Sequence, residues 1–317
     1  MPYINVDEVY ILDNTGPQVD QAVDIPYVDA ALTDAQKAQA RANIAAGGTN
    51  PNLLDNPWWG SAEVVNQRGV TSWAGNHGAY CIDRWWTTFG SSAGAYSLAA
   101  NGITISPTGG GSYMIQKFDN PTWFGGKVLT ASLLLSDGTI YSGTITRVNN
   151  TTQRFFTNED AFVELSFGDT NMFSLRVLYG GTATIRAVKM ELGSVSTLAN
   201  DAPPNYLSEL LKCQRYFVRL FSSNASIFGF GFVNSGGTGA YILTPTPVTM
   251  RSKPSIAVSG SFGLRQNNTN TAVSSFTVDA RTANGINLYT TGTFTANAVC
   301  TLFASASSTY IDLSADL

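Results

Sequence analysis

The chain has 317 residues and a net charge of −4, with only 13% charged residues beside 44% hydrophobic ones; an ordinary soluble domain carries roughly 25% charge. Gly, Ser, Thr and Asn take the missing share, which is the composition of turn-rich β-sheet proteins. The charge runs −5 over 1–49, −2 over 50–202 and +3 over 203–317, with no clustered basic stripe, which argues against a nucleic-acid partner.

No apolar run approaches ~18 residues, so membrane insertion is not expected. The N-terminus lacks the basic and apolar segments of a secretory signal, which predicts synthesis in a cytosol. Cys81, Cys213 and Cys300 are too few and too scattered for a disulfide framework or a metal-ligand set. The length suits two domains with cores of their own.

Thr33 and Gln36 make a capping-box pattern and Gly47-Gly48 a stop, predicting a helix of about three turns over 34–45. Its inward positions, Ala35, Ala38, Ala42 and Ala45, offer little area to bury. Such a stripe suits close packing around an oligomer axis; a frayed alanine-rich linker is the plainer alternative.

From Asn50 the pattern turns to β. Hairpin signals fall at Asn101-Gly102, Asp137-Gly138 and Gly180-Gly181, between short alternating segments. They predict a sandwich or jelly roll over 50–202. Five of the six tryptophans lie between Trp58 and Trp86, either filling its core or offering flat faces to a ligand such as a sugar ring. Adjacent residues on a strand face opposite ways, so Trp85-Trp86 predicts a two-sided strand, Trp85 sharing a face with Cys81 and Trp86 with Ile82 and Tyr80. Trp73 stands outside the doublets as a platform candidate.

Ala199–Asn205 reads as a boundary, with Asn205 capping a short helix from Tyr206 to about Lys212 whose apolar side is Leu207, Leu210 and Leu211. A second sandwich is expected over 203–317. There Phe228, Phe230 and Phe232 alternate with glycines, which at a period of two places all three rings on one face. That face reads as a core or a subunit contact, since an open triple-Phe stripe invites aggregation. Another hairpin turn is expected at Asn284-Gly285, and Arg265–Thr271 reads as a polar loop.

Several strings resemble bacteriophage and prophage tail fibres. Ile11–Val23 and Leu32–Ile44 resemble their N-terminal and collar segments. Asn52–Trp58, Tyr80–Trp85 and Val188–Ser194 look like the opening, early strand and closing strand of a carbohydrate-binding-module-like jelly roll. Lys212–Phe217 and Val248–Pro254 resemble the entry and a middle strand of a C-terminal head sandwich. The resemblance implies a mainly β protein: a tail-attachment segment and helical collar over 1–49, a jelly roll over 50–202, a short linking helix, and a receptor-binding head over 203–317. It further implies a homotrimer in the virion tail, held to tail or baseplate proteins by its N-terminal segment and adhering to a bacterial surface glycan.

Enzyme signatures are scarce. His77 is the single histidine, in the glycine-containing run 74–78, with no GxSxG elbow or P-loop beside it. Glu159-Asp160 is the most tempting carboxylate pair, yet neighbours on a strand diverge, so they would cooperate only from a loop. No catalytic residue and no cofactor are expected; the Asp- and Asn-rich turns leave a structural calcium as the one metal expectation. Sugar binding needs an aromatic platform with fixed hydrogen-bond partners. Two sets fit: Trp73, His77 and Tyr80, and Tyr241 with Arg265, Gln266, Asn267 and Asn268. Threefold repetition would raise the avidity of such weak sites. A depolymerase tailspike and a purely structural baseplate or connector protein are the alternative readings.

Overall fold

The computed structural model describes residues 49–74, 79–89, 94–108, 110–169, 172–222, 226–282 and 285–316. The expected collar helix with Ala35, Ala38, Ala42 and Ala45, and the run holding His77, lie outside the described residues.

The protein is mainly β, with two sandwiches and one α-helix among the described residues. The first sandwich runs β1 (Ser72–Ala74), β2 (Ala79–Ile82), β3 (Trp85–Phe89), β4 (Gly94–Ala99), β5 (Gly102–Pro107), β6 (Gly111–Lys117), β7 (Val128–Leu135), β8 (Ile140–Thr146), β9 (Gln153–Asn158), β10 (Val163–Phe167), β11 (Met172–Leu178) and β12 (Ala183–Leu192). One antiparallel sheet has the order β1-β4-β5-β12-β7-β8, the other β2-β3-β6-β11-β10-β9. Alternation does the sorting: in β11, Phe173, Leu175 and Val177 are buried between partly exposed neighbours, as a strand with one wet face requires.

Asn101-Gly102 and Asp137-Gly138 do join paired strands, β4 to β5 and β7 to β8. Gly180-Gly181 does not. β11 and β12 belong to opposite sheets, so this turn is an arch across the sandwich. A glycine pair marks a tight reversal without stating whether the next strand pairs or crosses over.

Each tryptophan doublet sends one ring into the core and leaves the other outside it. Trp59 and Trp85 meet edge-on in the core with ring centroids 4.9 Å apart, while Trp58 joins Ala187 and Leu198 in a separate cluster. Trp85 is fully buried and Trp86 half-buried, its ring facing the Lys117 ammonium at 5.1 Å. The expected sharing of faces needs one correction. A bulge between Tyr80 and Ile82 pairs Ile82 with Trp85, so Cys81 and Ile82 are both buried with it; an extra residue in a strand resets its alternation.

Asn56 organises this corner. Its φ is +51°, a left-handed conformation that Asn tolerates better than most residues. Its buried amide donates to Val65 O at 2.8 Å and Asp83 O at 2.9 Å, and its Oδ1 accepts from Val65 N at 2.8 Å. Its carbonyl accepts both indole N–H groups, from Trp59 at 3.0 Å and Trp85 at 2.9 Å.

Helix α1 (Tyr206–Gln214) links the sandwiches, and the Asn205 side chain accepts from Ser208 N at 3.2 Å as its N-cap. The predicted apolar side is corrected. The helix buries Glu209 and Cys213 and leaves Leu207 65% and Leu211 49% exposed. Glu209 is drawn inward because its carboxylate accepts the buried Asn56 N–H at 2.8 Å and pairs with Lys212 at 2.5 Å.

The head runs β13 (Phe217–Ser222), β14 (Ile227–Val233), β15 (Gly239–Pro245), β16 (Ser255–Ser259), β17 (Phe262–Gln266), β18 (Thr269–Val273), β19 (Thr277–Thr282), β20 (Gly285–Thr291), β21 (Val299–Ala304) and β22 (Thr309–Ser314). A three-stranded sheet, β13-β22-β16, accompanies a seven-stranded one, β18-β17-β21-β14-β15-β20-β19, over a core that includes Ile242, Leu264, Leu288, Leu302, Ile311 and Leu313. The expected loop at 265–271 is instead a hairpin: β17 and β18 pair through Gln266 and Thr269. Asn267 and Asn268, with φ of +44° and +65°, make the two-residue turn, for which residues that tolerate positive φ are suited.

Residues 50–317 form one compact unit, and ion pairs join its two sandwiches. Arg68 sits between Asp83 of the first and Asp316 of the second, at 2.9 and 2.5 Å, with its guanidinium 3.6 Å from the Phe217 ring centroid. Arg84 pairs with Asp55 at 3.0 Å and lies 3.4 Å over the Tyr216 ring. Asp119 accepts from Tyr216 and Arg251 at 2.8 and 2.9 Å.

Candidate interaction surfaces

The seven-stranded sheet of the head carries an apolar outer face. A β-bulge between Ile227 and Gly229 shifts the register of β14 against β21. Phe228 therefore turns into the core beside Phe262, while Phe230 and Phe232 point outward. This corrects the same-face expectation for the three rings: Phe228 is core, and only Phe230 and Phe232 are free for an interface. The physical cause is again the extra residue of a bulge, which sequence alternation does not display.

Strand register builds two rows across this face. Val299, Phe232, Tyr241 and Tyr289 stand directly opposite one another on β21, β14, β15 and β20. Thr301, Phe230, Leu243 and Asn287 form the row beside it. Phe232 stacks on Tyr241 with centroids 5.5 Å apart, and Tyr241 lies 4.9 Å from Tyr289. Ile227, Phe230, Phe232, Leu243 and Val299 are each 54–76% exposed. If a fully exposed large side chain presents roughly 150–250 Å², the five offer on the order of 500 Å² of apolar surface. That is at the upper end of the ~300–600 Å² patches of ordinary monomers. Gly229 and Gly231 belong to the same design: a Cβ on Gly231 would sit 1.7 Å from the Tyr241 carbonyl oxygen, so close strand approach on the inner side requires bare backbone there.

The sugar-site candidates of the head do not gather into one pocket. Tyr241 lies half-buried in the aromatic row, three strands from β17. Arg265 is exposed and bonds Asn270 Oδ1 at 3.1 Å. Gln266 is buried, and its Oε1 accepts the Thr295 N–H at 2.9 Å. Asn267 and Asn268 are exposed at the hairpin tip. The other set is also divided. Trp73, on the edge strand β1, packs half-buried against the core. Tyr80, on the edge strand β2 of the opposite sheet, lies under the Arg68 guanidinium at 5.1 Å and so belongs to the junction.

A groove that sequence reasoning missed lies at one end of the first sandwich, where the turns after β7, β9 and β11 converge. It encloses about 480 Å³ and is lined by Asp137, Asp160, Phe162 and the backbone of 180–184, among others. Glu159 and Asp160 do sit in a turn, between β9 and β10. Phe162 has a φ of +55°, and its ring lies so close to Gly181 that a Cβ there would stand 2.0 Å away. The Thr139 backbone N–H, at 2.8 Å, holds the Asp137 carboxyl below its usual pKa. Two carboxylates beside an aromatic edge accept hydroxyl donors; the one sequence signal was the presence of three turn motifs, whose convergence only the topology supplies.

Among the described residues no group of three or more His, Cys, Asp or Glu is placed to hold a metal. Burial pushes the Cys81 thiol up to about 12 and the Cys300 thiol up to about 11, away from the thiolate that nucleophilic chemistry needs. No protein-family model, no curated protein and no solved structure matches this chain.

Proposed function

We propose that the protein is a tail-fibre-type receptor-binding protein that adheres to bacterial surface glycan as a homotrimer, without breaking bonds in its ligand. The observation that carries the reading is the outer face of the head, where Phe230, Phe232, Leu243 and Val299 stand exposed on neighbouring strands. Aliphatic side chains beside rings, with Tyr241, Tyr289, Thr301 and Asn287 as the polar groups around them, suit a subunit contact of apolar core and polar rim better than a sugar platform. A second copy of the chain is the occupant; Tyr206, Leu207 and Leu211 of the linking helix are further exposed apolar side chains. The ion pairs between the sandwiches support the adhesive part, because a rigid body repeats weak sites at fixed spacing. The tail-fibre part rests on the resembling strings, with residues 1–49 as the attachment to tail or baseplate proteins.

Sedimentation velocity and glycan-array binding of the full chain test the reading together. A trimer that binds surface polysaccharide and competes with phage adsorption is the expected result. A stable monomer would remove the homotrimer, and release of reducing ends from the polysaccharide would replace adhesion with hydrolysis.

A further inference from the structure

The outer side of β12 holds the one lysine among the described residues with no exposed side-chain surface. Lys189 Nζ lies 2.8 Å from Asp201 Oδ1 and 2.7 Å from Oδ2. It also donates to Thr197 Oγ1 at 2.7 Å. Thr197 Oγ1 in turn donates to Glu191 Oε2 at 2.7 Å, and the Thr197 N–H reaches Glu191 Oε1 at 2.8 Å. Glu191 is as fully buried as Lys189, with Oε2 3.7 Å from Nζ. Alternation along β12 puts Ala187, Lys189 and Glu191 on one side, and the cluster of Trp58, Ala187 and Leu198 lies beside them.

We propose that Lys189 and Asp201 condense into an intramolecular isopeptide bond, with Glu191 as proton acceptor and Thr197 as relay. With both carboxylate oxygens in hydrogen-bond contact, Cγ lies about 3 Å from Nζ, the separation of a near-attack pair. A turn about the Asp201 Cβ–Cγ bond presents the face of the carboxyl to the amine. One ammonium proton passes through Thr197 Oγ1 to Glu191, and the freed Nζ lone pair attacks Cγ. The C–Oδ bond then breaks. The departing oxygen takes the proton back from Glu191 and a second one from Nζ, and leaves as water. The nitrogen keeps one hydrogen, Glu191 returns to its carboxylate, and no oxidant or co-reactant enters.

Two properties of the site favour the step. Enclosing an ammonium with two carboxylates carries a desolvation cost for each ion, and condensation turns one such pair into a neutral amide. The Asp201 side chain retains 14% exposure, which gives the water a way out. The bond would tie the closing strand of the first sandwich to the segment just before α1, so that tension between the sandwiches runs through a covalent link.

The test is a tryptic digest of denatured full-length protein after days at 37 °C, read by tandem mass spectrometry. Trypsin does not cleave after an acylated lysine, so the expected product is a peptide spanning 187–212, lighter than its sequence mass by one water. It should show no fragment ions from backbone cleavage between 189 and 201. Lys189→Arg and Glu191→Gln should both restore the full sequence mass, the first keeping a cation in the site. Cleavage after Lys189, or a 187–212 peptide at full mass, would overturn the bond. Water loss persisting in Glu191→Gln would overturn the role of Glu191. A succinimide at Asp201 also loses water but leaves Lys189 open to trypsin, and that outcome too counts against the proposal.

Discussion

Arg68 of the first sandwich reaches across the junction to Asp316 of the head, 2.5 Å away, while its other amino group holds the fully buried Asp83 at 2.9 Å. One guanidinium thus pairs with two carboxylates from two sandwiches and stacks on Phe217 between them. Planar, multiply donating and always charged, Arg suits such a post better than Lys.

Removing that guanidinium should therefore cost more than an exposed ion pair. Arg68→Ala leaves Asp83 buried without its cation, for which about 3–5 kcal/mol is the expected loss. Chemical denaturation of the variant should also lose the single transition of a unit unfolding as one, the head separating from the first sandwich. An unchanged midpoint would show that the junction contributes little.

Asp83 also sets a pH dependence. Burial raises its pKa to about 6 from 3.8, against the opposing pull of Arg68 and the Gln67 hydrogen bonds. Asp316 is raised for the same reason. The folded state thus holds a proton that the unfolded chain releases. This contribution to stability is fully present below pH ~4 and lost as the pH rises through ~6. For Asp83 alone, lowering the pH from 7 to 5 should add on the order of 1 kcal/mol. Denaturant titrations at both pH values should show the gain in the native protein and a smaller one in Asp83→Asn; equal gains would remove Asp83 as the source.

The outer face of the head predicts a change in assembly without a change in fold. Phe230→Ser with Phe232→Ser removes two exposed rings that touch no core. Monomer stability should stay within about 0.5 kcal/mol, as for other surface changes, while sedimentation shifts from the oligomer to the monomer. Phe228→Ser is the contrast: its ring lies in the core, so a loss of about 3 kcal/mol or more is expected. If the Phe230→Ser, Phe232→Ser double variant sedimented like the native protein, the face would not be the subunit contact.

Asn56 should prove as important to the tryptophans as their own packing. Asn56→Ala abandons the buried carbonyls of Val65 and Asp83 and the N–H of Val65, each costing about 1–3 kcal/mol when left unpaired. A residue less suited to positive φ then also bears the strain at +51°. Intrinsic fluorescence should shift to the red as the corner packed around Trp59 and Trp85 loosens and their indole N–H groups drift from the main-chain carbonyl of residue 56; an unshifted spectrum with native stability would count against this account.

How much of this was legible in the chain depends on the range of the physics involved. Composition and period-two patterning suffice for a mainly β protein, because each strand writes its buried face into every second residue. Local chemistry likewise marks the Asn205 cap and the turns at Asn101-Gly102 and Asp137-Gly138. The opposed placement of Trp85 and Trp86 follows from strand geometry alone. The tertiary structure decided whatever depends on a distant partner or an extra residue. Bulges after Tyr80 and Ile227 reversed the faces of Ile82 and Phe228. The buried N–H of Asn56 pulled Glu209 inward and left Leu207 and Leu211 in water, against the apolar pattern of their own helix. Gly180-Gly181 became an arch because β12 pairs with β5 and β7. Lys189, Glu191, Thr197 and Asp201, unremarkable as a string, became a closed ionic cluster once β12 and the segment after it were folded together. Alternation and capping act over a few residues and can be read in order; register, burial of charge and the meeting of turns are set by neighbours far along the chain.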